Sequence, residues 1–311
     1  MFVGPEVQAH ESRPENLRNR GVMSSRRLLH YDRIEPAEPD GGDEYLFGEG
    51  AWAGARPWLY MLHGIFGAGR NWRSIASRIS RARPPWGAML VDLRMHGESQ
   101  DFEPPHTLDA CAADLEALAH ETGLTAVAVL GHSFGGKVAL TYLSRAGATD
   151  ELLQQVWIMD STPSARDAVG DAARMLGAVR SFPARFPSRD AAVEDLKQAG
   201  FPDRVANWMS ANLARSEASY EWKLDFDALE LLLHDFFLTD MWPIVEDPPP
   251  GTELHFVKAT KSKIMTEGEA ERIRAIGRTR PVHLHEVEGG HWLNADNPDA
   301  VLTLLERHLP H

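Results

Sequence analysis

The chain has 311 residues, 43% hydrophobic and 25% charged, with a formal net charge of −13. This is the composition of a globular protein with one sizeable core, and its acidic balance argues against nucleic acid and anionic membrane surfaces as partners. A lone cysteine, Cys111, rules out an intramolecular disulfide and a cysteine-rich zinc site.

Residues 1–27 are polar, carry charges of both signs and lack the apolar core of a secretory signal, so they read as a disordered tail. No apolar run nears the ~18 residues of a membrane span, and a reducing, cytoplasmic setting is expected. Strands and helices then alternate. Leu28–Ile34 and the short Tyr45–Phe47 are predicted as the first two strands, and Trp58–Leu62 as the third. A helical pattern over 71–81 places Trp72, Ile75 and Ile79 on one face. Ala88–Val91 is the fourth strand. Residues 107–121 form an amphipathic helix with Leu108, Cys111, Leu115 and Leu118 on its apolar stripe, which makes Cys111 a core residue.

The apolar run Ala126–Leu130, the fifth strand, leads into Gly131-His132-Ser133-Phe134-Gly135-Gly136-Lys137, and Val138, Ala139, Leu140 and Leu143 follow at helical spacings. Gly131-x-Ser133-x-Gly135 between a strand and a helix is the pattern of a nucleophile elbow. Small neighbours are needed there because the serine sits on a tight, strained turn. Gly131-x-x-x-x-Gly136-Lys137 also fits most of a phosphate-binding loop, but Val138 stands where the magnesium-binding Ser or Thr would be needed.

The sixth strand, Val156–Met159, ends at Asp160. Residues 161–249 then show helical patterns without a convincing strand, the strongest marked by Leu229, Leu232, Leu233, Phe236 and Phe237. Strands resume at Leu254–Val257 and Val282–Val287, and a last helix starts at Pro298 with Asn297 as its cap. The expected architecture is α/β: a mostly parallel eight-stranded sheet with helices on both faces. Residues 28–160 and 250–311 would form the core, and residues 161–249 a helical cap over the strand C-terminal ends, where ligands bind in such sheets.

Serine is a weak nucleophile at its own pKa and needs a base and an orienting acid. His291, on the glycine-flanked loop after the eighth strand, is the expected base. Two strand ends offer the acid. Asp160 directly follows the sixth strand and is preferred, while the loop after the seventh strand has no Asp and offers Glu267 as the alternative. The glycine-rich loop His63-Gly64-Ile65-Phe66-Gly67 can turn backbone N–H groups inward. Those of Ile65 (or Phe66) and Phe134 are the candidate oxyanion donors. Asp92-Leu93-Arg94-Met95-His96-Gly97-Glu98-Ser99 is expected to brace neighbouring loops, with Asp92 and Arg94 able to pair. His63, His96, His283 and His285 read as structural. Trp208, Trp222, Phe236, Phe237 and Trp242 are candidates for an acyl pocket.

Together these stretches, with Gly290-His291-Trp292-Leu293-Asn294-Ala295-Asp296, resemble the α/β-hydrolase superfamily. Within it they are similar to the small esterases related to the mitochondrial abhydrolase-domain-eleven protein and its bacterial counterparts. The resemblance spans about residues 28–310 and implies hydrolysis of short acyl esters or thioesters without a cofactor or metal. A bacterial member of the group uses an Asp after the sixth strand, which supports Asp160, whereas the missing Asp after the seventh strand departs from the wider pattern. Cofactor-free lyases, perhydrolases and ligand-binding proteins with an idle triad share the scaffold. The expected partner is a small acyl ester.

Overall fold

A computed structural model describes residues 27–37, 56–146, 152–167 and 170–310. The predicted strand Tyr45–Phe47 lies outside the described residues, as does nearly all of the predicted tail. The first half runs β1 (Tyr31–Ile34), β2 (Trp58–Leu62), a 3-10 turn (Gly69–Trp72), α1 (Arg73–Ala82), β3 (Gly87–Val91), α2 (Leu108–Thr122), β4 (Ala126–His132), α3 (Phe134–Ala146) and β5 (Gln155–Met159). The second half continues with α4 (Asp171–Ser181), β6 (Arg185–Phe186), α5 (Arg189–Gln198), α6 (Asp203–Ser210), β7 (Leu213–Ser216), β8 (Ser219–Trp222), α7 (Phe226–Leu238), α8 (Trp242–Glu246), β9 (Glu253–Ala259), α9 (Glu267–Ile276), β10 (Val282–Val287), α10 (Leu293–Asp296) and α11 (Pro298–His308).

Among the described residues the main sheet has seven strands in the order β1-β3-β2-β4-β5-β9-β10, all parallel except β1, which runs antiparallel to β3. The continuous apolar runs read from the sequence reflect burial on both faces. On β2, Trp58, Tyr60 and Leu62 join the core layer under α2 and α3, and Leu59 and Met61 join the opposite layer with Ile75 and Ile79 of α1 and Leu305 of α11. Alternate residues of one strand thus serve two layers. Cys111 is fully enclosed in the first layer, and burial pushes its thiol pKa up, which removes it as a nucleophile.

Helix ends follow the local chemistry. Thr107 Oγ1 accepts from Ala110 N–H at the start of α2, and Gly123, at φ +68°, closes that helix. Asn297 caps α11 ahead of Pro298, as expected.

The segment between β5 and β9 is not purely helical. It also contains a three-stranded antiparallel sheet, β6-β8-β7, of strands two to four residues long. Such short strands carry too few alternations to register as a period-two pattern. The segment is fastened to the rest by polar contacts: Asp235 accepts from the N–H of Leu108 at 2.7 Å, and Asn212 donates to the carbonyl of Phe66 at 2.9 Å.

Candidate active site

Ser133 stands between β4 and α3 with φ +52°, the strained position expected of an elbow. The glycines are required by contact. A Cβ on Gly131 would lie 1.9 Å from the Gly135 carbonyl oxygen, and one on Gly135 would lie 2.5 Å from that of His63. The Ser133 N–H donates to Met159 O across to β5, so the turn is anchored to the sheet.

Ser133, His291 and Asp160 are brought into one relay. The Ser133 Oγ–His291 Nε2 distance is 3.1 Å, and His291 Nδ1 lies 2.7 Å from Asp160 Oδ2. The carboxylate is fully buried, and its Oδ1 accepts from the Ala259 N–H at 3.1 Å. A carboxylate is an acceptor, so Nδ1 carries the imidazole proton and Nε2 presents its lone pair to the serine hydroxyl. Asp160 itself sits at φ +41°, directly after β5.

Glu267 is not part of this arrangement. It is the first residue of α9, pairs with Lys258 at 2.5 Å and Arg274 at 2.9 Å, and is largely exposed. Those partners lower its pKa, Lys258 most strongly.

The loop after β2 is built to aim a backbone donor. Gly64 O accepts from Gly67 N–H at 2.9 Å and faces His63 Nδ1 at 2.8 Å. His63 Nε2 accepts from Leu93 N–H at 3.0 Å, which fixes Nδ1 as the donor. Burial lowers the His63 pKa to about 4, so the ring is neutral. With the Gly64 carbonyl held by two donors, the planar peptide sends the Ile65 N–H the opposite way. Among the described residues neither the Ile65 nor the Phe134 N–H donates to a protein acceptor. Gly64 abuts the serine, since a Cβ there would be 3.4 Å from Ser133 Cβ.

Two side chains that sequence reasoning gave no role complete the surroundings. His132 Nε2 donates to the His291 carbonyl at 2.7 Å, and burial followed by the charge of His291 lowers its pKa to about 3. The residue before Ser133 thus holds the loop that carries His291. Lys137, one turn after the serine, is completely buried. Its ammonium donates to Ser164 O, Phe236 O and Thr239 O at 2.8, 2.6 and 2.7 Å. Burial lowers its pKa to about 8, and the acceptors suit the charged form at neutral pH. Lys137 therefore ties the elbow helix to the C-terminal end of α7. Lys137→Met should cost roughly 3 kcal/mol or more, because buried carbonyls lose their donor. A urea midpoint equal to that of the wild type would contradict this.

Asp92 and Arg94 do not pair. Asp92 accepts from the N–H groups of Gly69 and Glu98, while Arg94 Nε binds the buried Asp114 at 2.6 Å. Both residues lie in the loop beyond β3, where partners are set by the elements packed around it: Asp92 is taken up by backbone N–H groups and Arg94 reaches Asp114 of α2. Both residues brace loops, as expected.

Of the candidate pocket aromatics, Trp208 packs on Trp292, next to His291, with ring centroids 5.8 Å apart, and Phe236 packs on Phe134 at 5.9 Å. Trp222 instead packs between Phe186 and Phe226 within the insertion, Phe237 is buried against Phe236, and Trp242 lies under Arg272. Arg204 of α6 pairs with Asp296, five residues after His291.

Residues 59–304 match the model of the alpha/beta hydrolase family. The chain is 27% identical over 251 residues to the sn-1-specific diacylglycerol lipase ABHD11 of Xenopus tropicalis, covering 77% of this chain and 74% of that protein. A shorter stretch, 36% of this chain and 42% of the relative, is 33% identical to the 2-succinyl-6-hydroxy-2,4-cyclohexadiene-1-carboxylate synthase of Serratia proteamaculans. Among solved structures, an esterase from a marine microorganism superposes with a TM-score of 0.73 at 22% identity, covering 91% of this chain and 99% of that one. Among the described residues no helix is long and apolar enough to cross a membrane.

Proposed function

The chain belongs to the alpha/beta hydrolase family, and from that premise we propose that it is a serine esterase acting on short acyl esters or thioesters through an acyl-enzyme. The observation that carries this reading is the Asp160–His291–Ser133 relay, at 2.7 and 3.1 Å, beside two unpaired backbone donors. Ser133 Oγ attacks the acyl carbonyl while His291 Nε2 takes its proton, and Asp160 stabilises the imidazolium that forms. The carbonyl oxygen gains negative charge and is received by the N–H groups of Ile65 and Phe134, where each donor is worth ~3–4 kcal/mol. His291 then protonates the leaving alcohol or thiol. Water enters, His291 removes its proton, and the acid is released with Ser133 restored. The reaction as drawn needs no cofactor.

Residues 28–160 and 250–311 act as the hydrolase core, and residues 161–249 as its cap. Within the cap, Trp208 and Phe236 are the aromatics whose packing against Trp292 and Phe134 suits them to border an acyl group. The name of the Xenopus relative favours an ester of glycerol as the natural class.

The test is hydrolysis of p-nitrophenyl acetate, butyrate and octanoate by the full chain, with mass spectrometry after fluorophosphonate labelling. Turnover with the label on Ser133 is the expected result. Folded protein that turns over no chain length would sink the esterase reading. It would favour a lyase using the same base, the reading to which the synthase-named relative points.

A further inference from the structure

At the opposite end of the sheet from Ser133, a second cluster of imidazoles has no part in this chemistry. Glu253, His255 and His283 each bring one ligand atom to within 4.8 Å of the others. They meet because of strand register. His255 and His283 are direct partners on the parallel strands β9 and β10, and Glu253 lies two residues before His255, on the same face. Strand β10 is the sheet edge, so the cluster opens to solvent through the exposed Glu253 and His283, while His255 is buried.

The surrounding contacts are those a bound cation uses. His255 Nε2 lies 3.2 Å from Glu253 Oε2, close to the edge of a zinc tetrahedron, about 3.3 Å for metal–nitrogen bonds of about 2.0–2.1 Å. The other ring nitrogen, His255 Nδ1, lies 3.0 Å from His285 Nε2. In the tautomer with His255 Nδ1 as the donor of that bond, the Nε2 lone pair faces the Glu253 side. Glu253 Oε2 accepts from Gln155 Nε2 at 3.1 Å, and Gln155 is itself held by Trp157 Nε1 and by the carbonyl of His308. Trp157 stacks on the His255 ring at 4.1 Å and 14°. Ligand orientation by such outer partners is what tunes metal sites. Only His283, on the edge strand, has to turn inward to close the set.

We propose that Glu253, His255 and His283 form a binding site for one divalent late-transition cation of the zinc class, with water completing its coordination. Two imidazoles and a carboxylate suit zinc, nickel or copper and disfavour magnesium or calcium. The ion would staple the edge strand β10 to β9, remote from the ester chemistry at the C-terminal strand ends, so its role is structural.

The test uses the untagged full chain, stripped with chelator and titrated calorimetrically with zinc chloride, then with magnesium chloride. Variants are His283→Ala, Glu253→Gln and, as a control, His234→Ala, an exposed histidine of α7. The expected result is one zinc per chain, no magnesium binding, at least a tenfold weaker affinity in the first two variants, and an affinity equal to that of the wild type in the control. Zinc should also raise the Tm of the wild type and not that of His283→Ala. Absence of saturable zinc binding would overturn the site. So would equal affinity in all variants, or binding abolished by His291→Ala with His283→Ala unaffected.

Discussion

Ser133→Ala should lower kcat for a p-nitrophenyl ester by roughly a hundred-thousand- to a million-fold, to the level supported by the remaining site alone. The larger figure corresponds to about 8 kcal/mol of transition-state stabilisation. The size follows from the geometry: the hydroxyl is the atom that His291 Nε2 faces at 3.1 Å, and no other nucleophile stands beside it in the relay. The fold should survive, because alanine occupies the same strained turn at φ +52° and the side-chain contact it loses is the one to His291. The measurement is steady-state turnover alongside thermal melting. A variant that melts like the wild type and retains more than a hundredth of its rate would remove Ser133 from the nucleophile's role.

Asp160→Asn should cost about 10,000-fold in kcat, while Glu267→Gln should leave the rate within about twofold of the wild type. The reason is tautomeric. Oδ1 of Asp160 accepts from Ala259 N–H, so an asparagine at this position is oriented with its carbonyl oxygen there. Its amide then points at His291 Nδ1, where a donor forces the ring proton onto Nε2. The base would face the serine hydroxyl with a donor of its own and would accept nothing. Glu267 is engaged by Lys258 and Arg274, so neutralising it breaks surface pairs whose loss matters little. Comparable losses in both variants, or a loss in Glu267→Gln alone, would overturn the assignment of the acid.

The candidate relay was legible in the sequence to different depths. Ser133 was marked by its glycines, because a turn that tight excludes a Cβ at Gly131 and Gly135, and that exclusion is local. His291 was marked by Gly289 and Gly290 at a strand end. Asp160 could only be ranked above Glu267, since a strand end fixes position better than a loop does. The choice turns on a hydrogen bond between residues 131 positions apart. The pairing of Arg94 with Asp114 rather than Asp92 was missed for the same reason: its partner lies on α2, twenty positions away, and is brought to it by packing.

By itself the sequence determined the alternation of strands and helices, the two-sided burial of the central strands, the elbow and the Asn297 cap of the last helix. Each of these is encoded within a few residues, as a period, a steric exclusion or a side chain that reaches its own backbone. Only the tertiary structure decided which carboxylate meets His291, that His132 holds the His291 loop and that Lys137 gathers three carbonyls of the segment between β5 and β9. It alone set His255 against His283 across two parallel strands. Such contacts depend on strand order and register, which arise when the whole core is buried at once, and no local pattern carries that information.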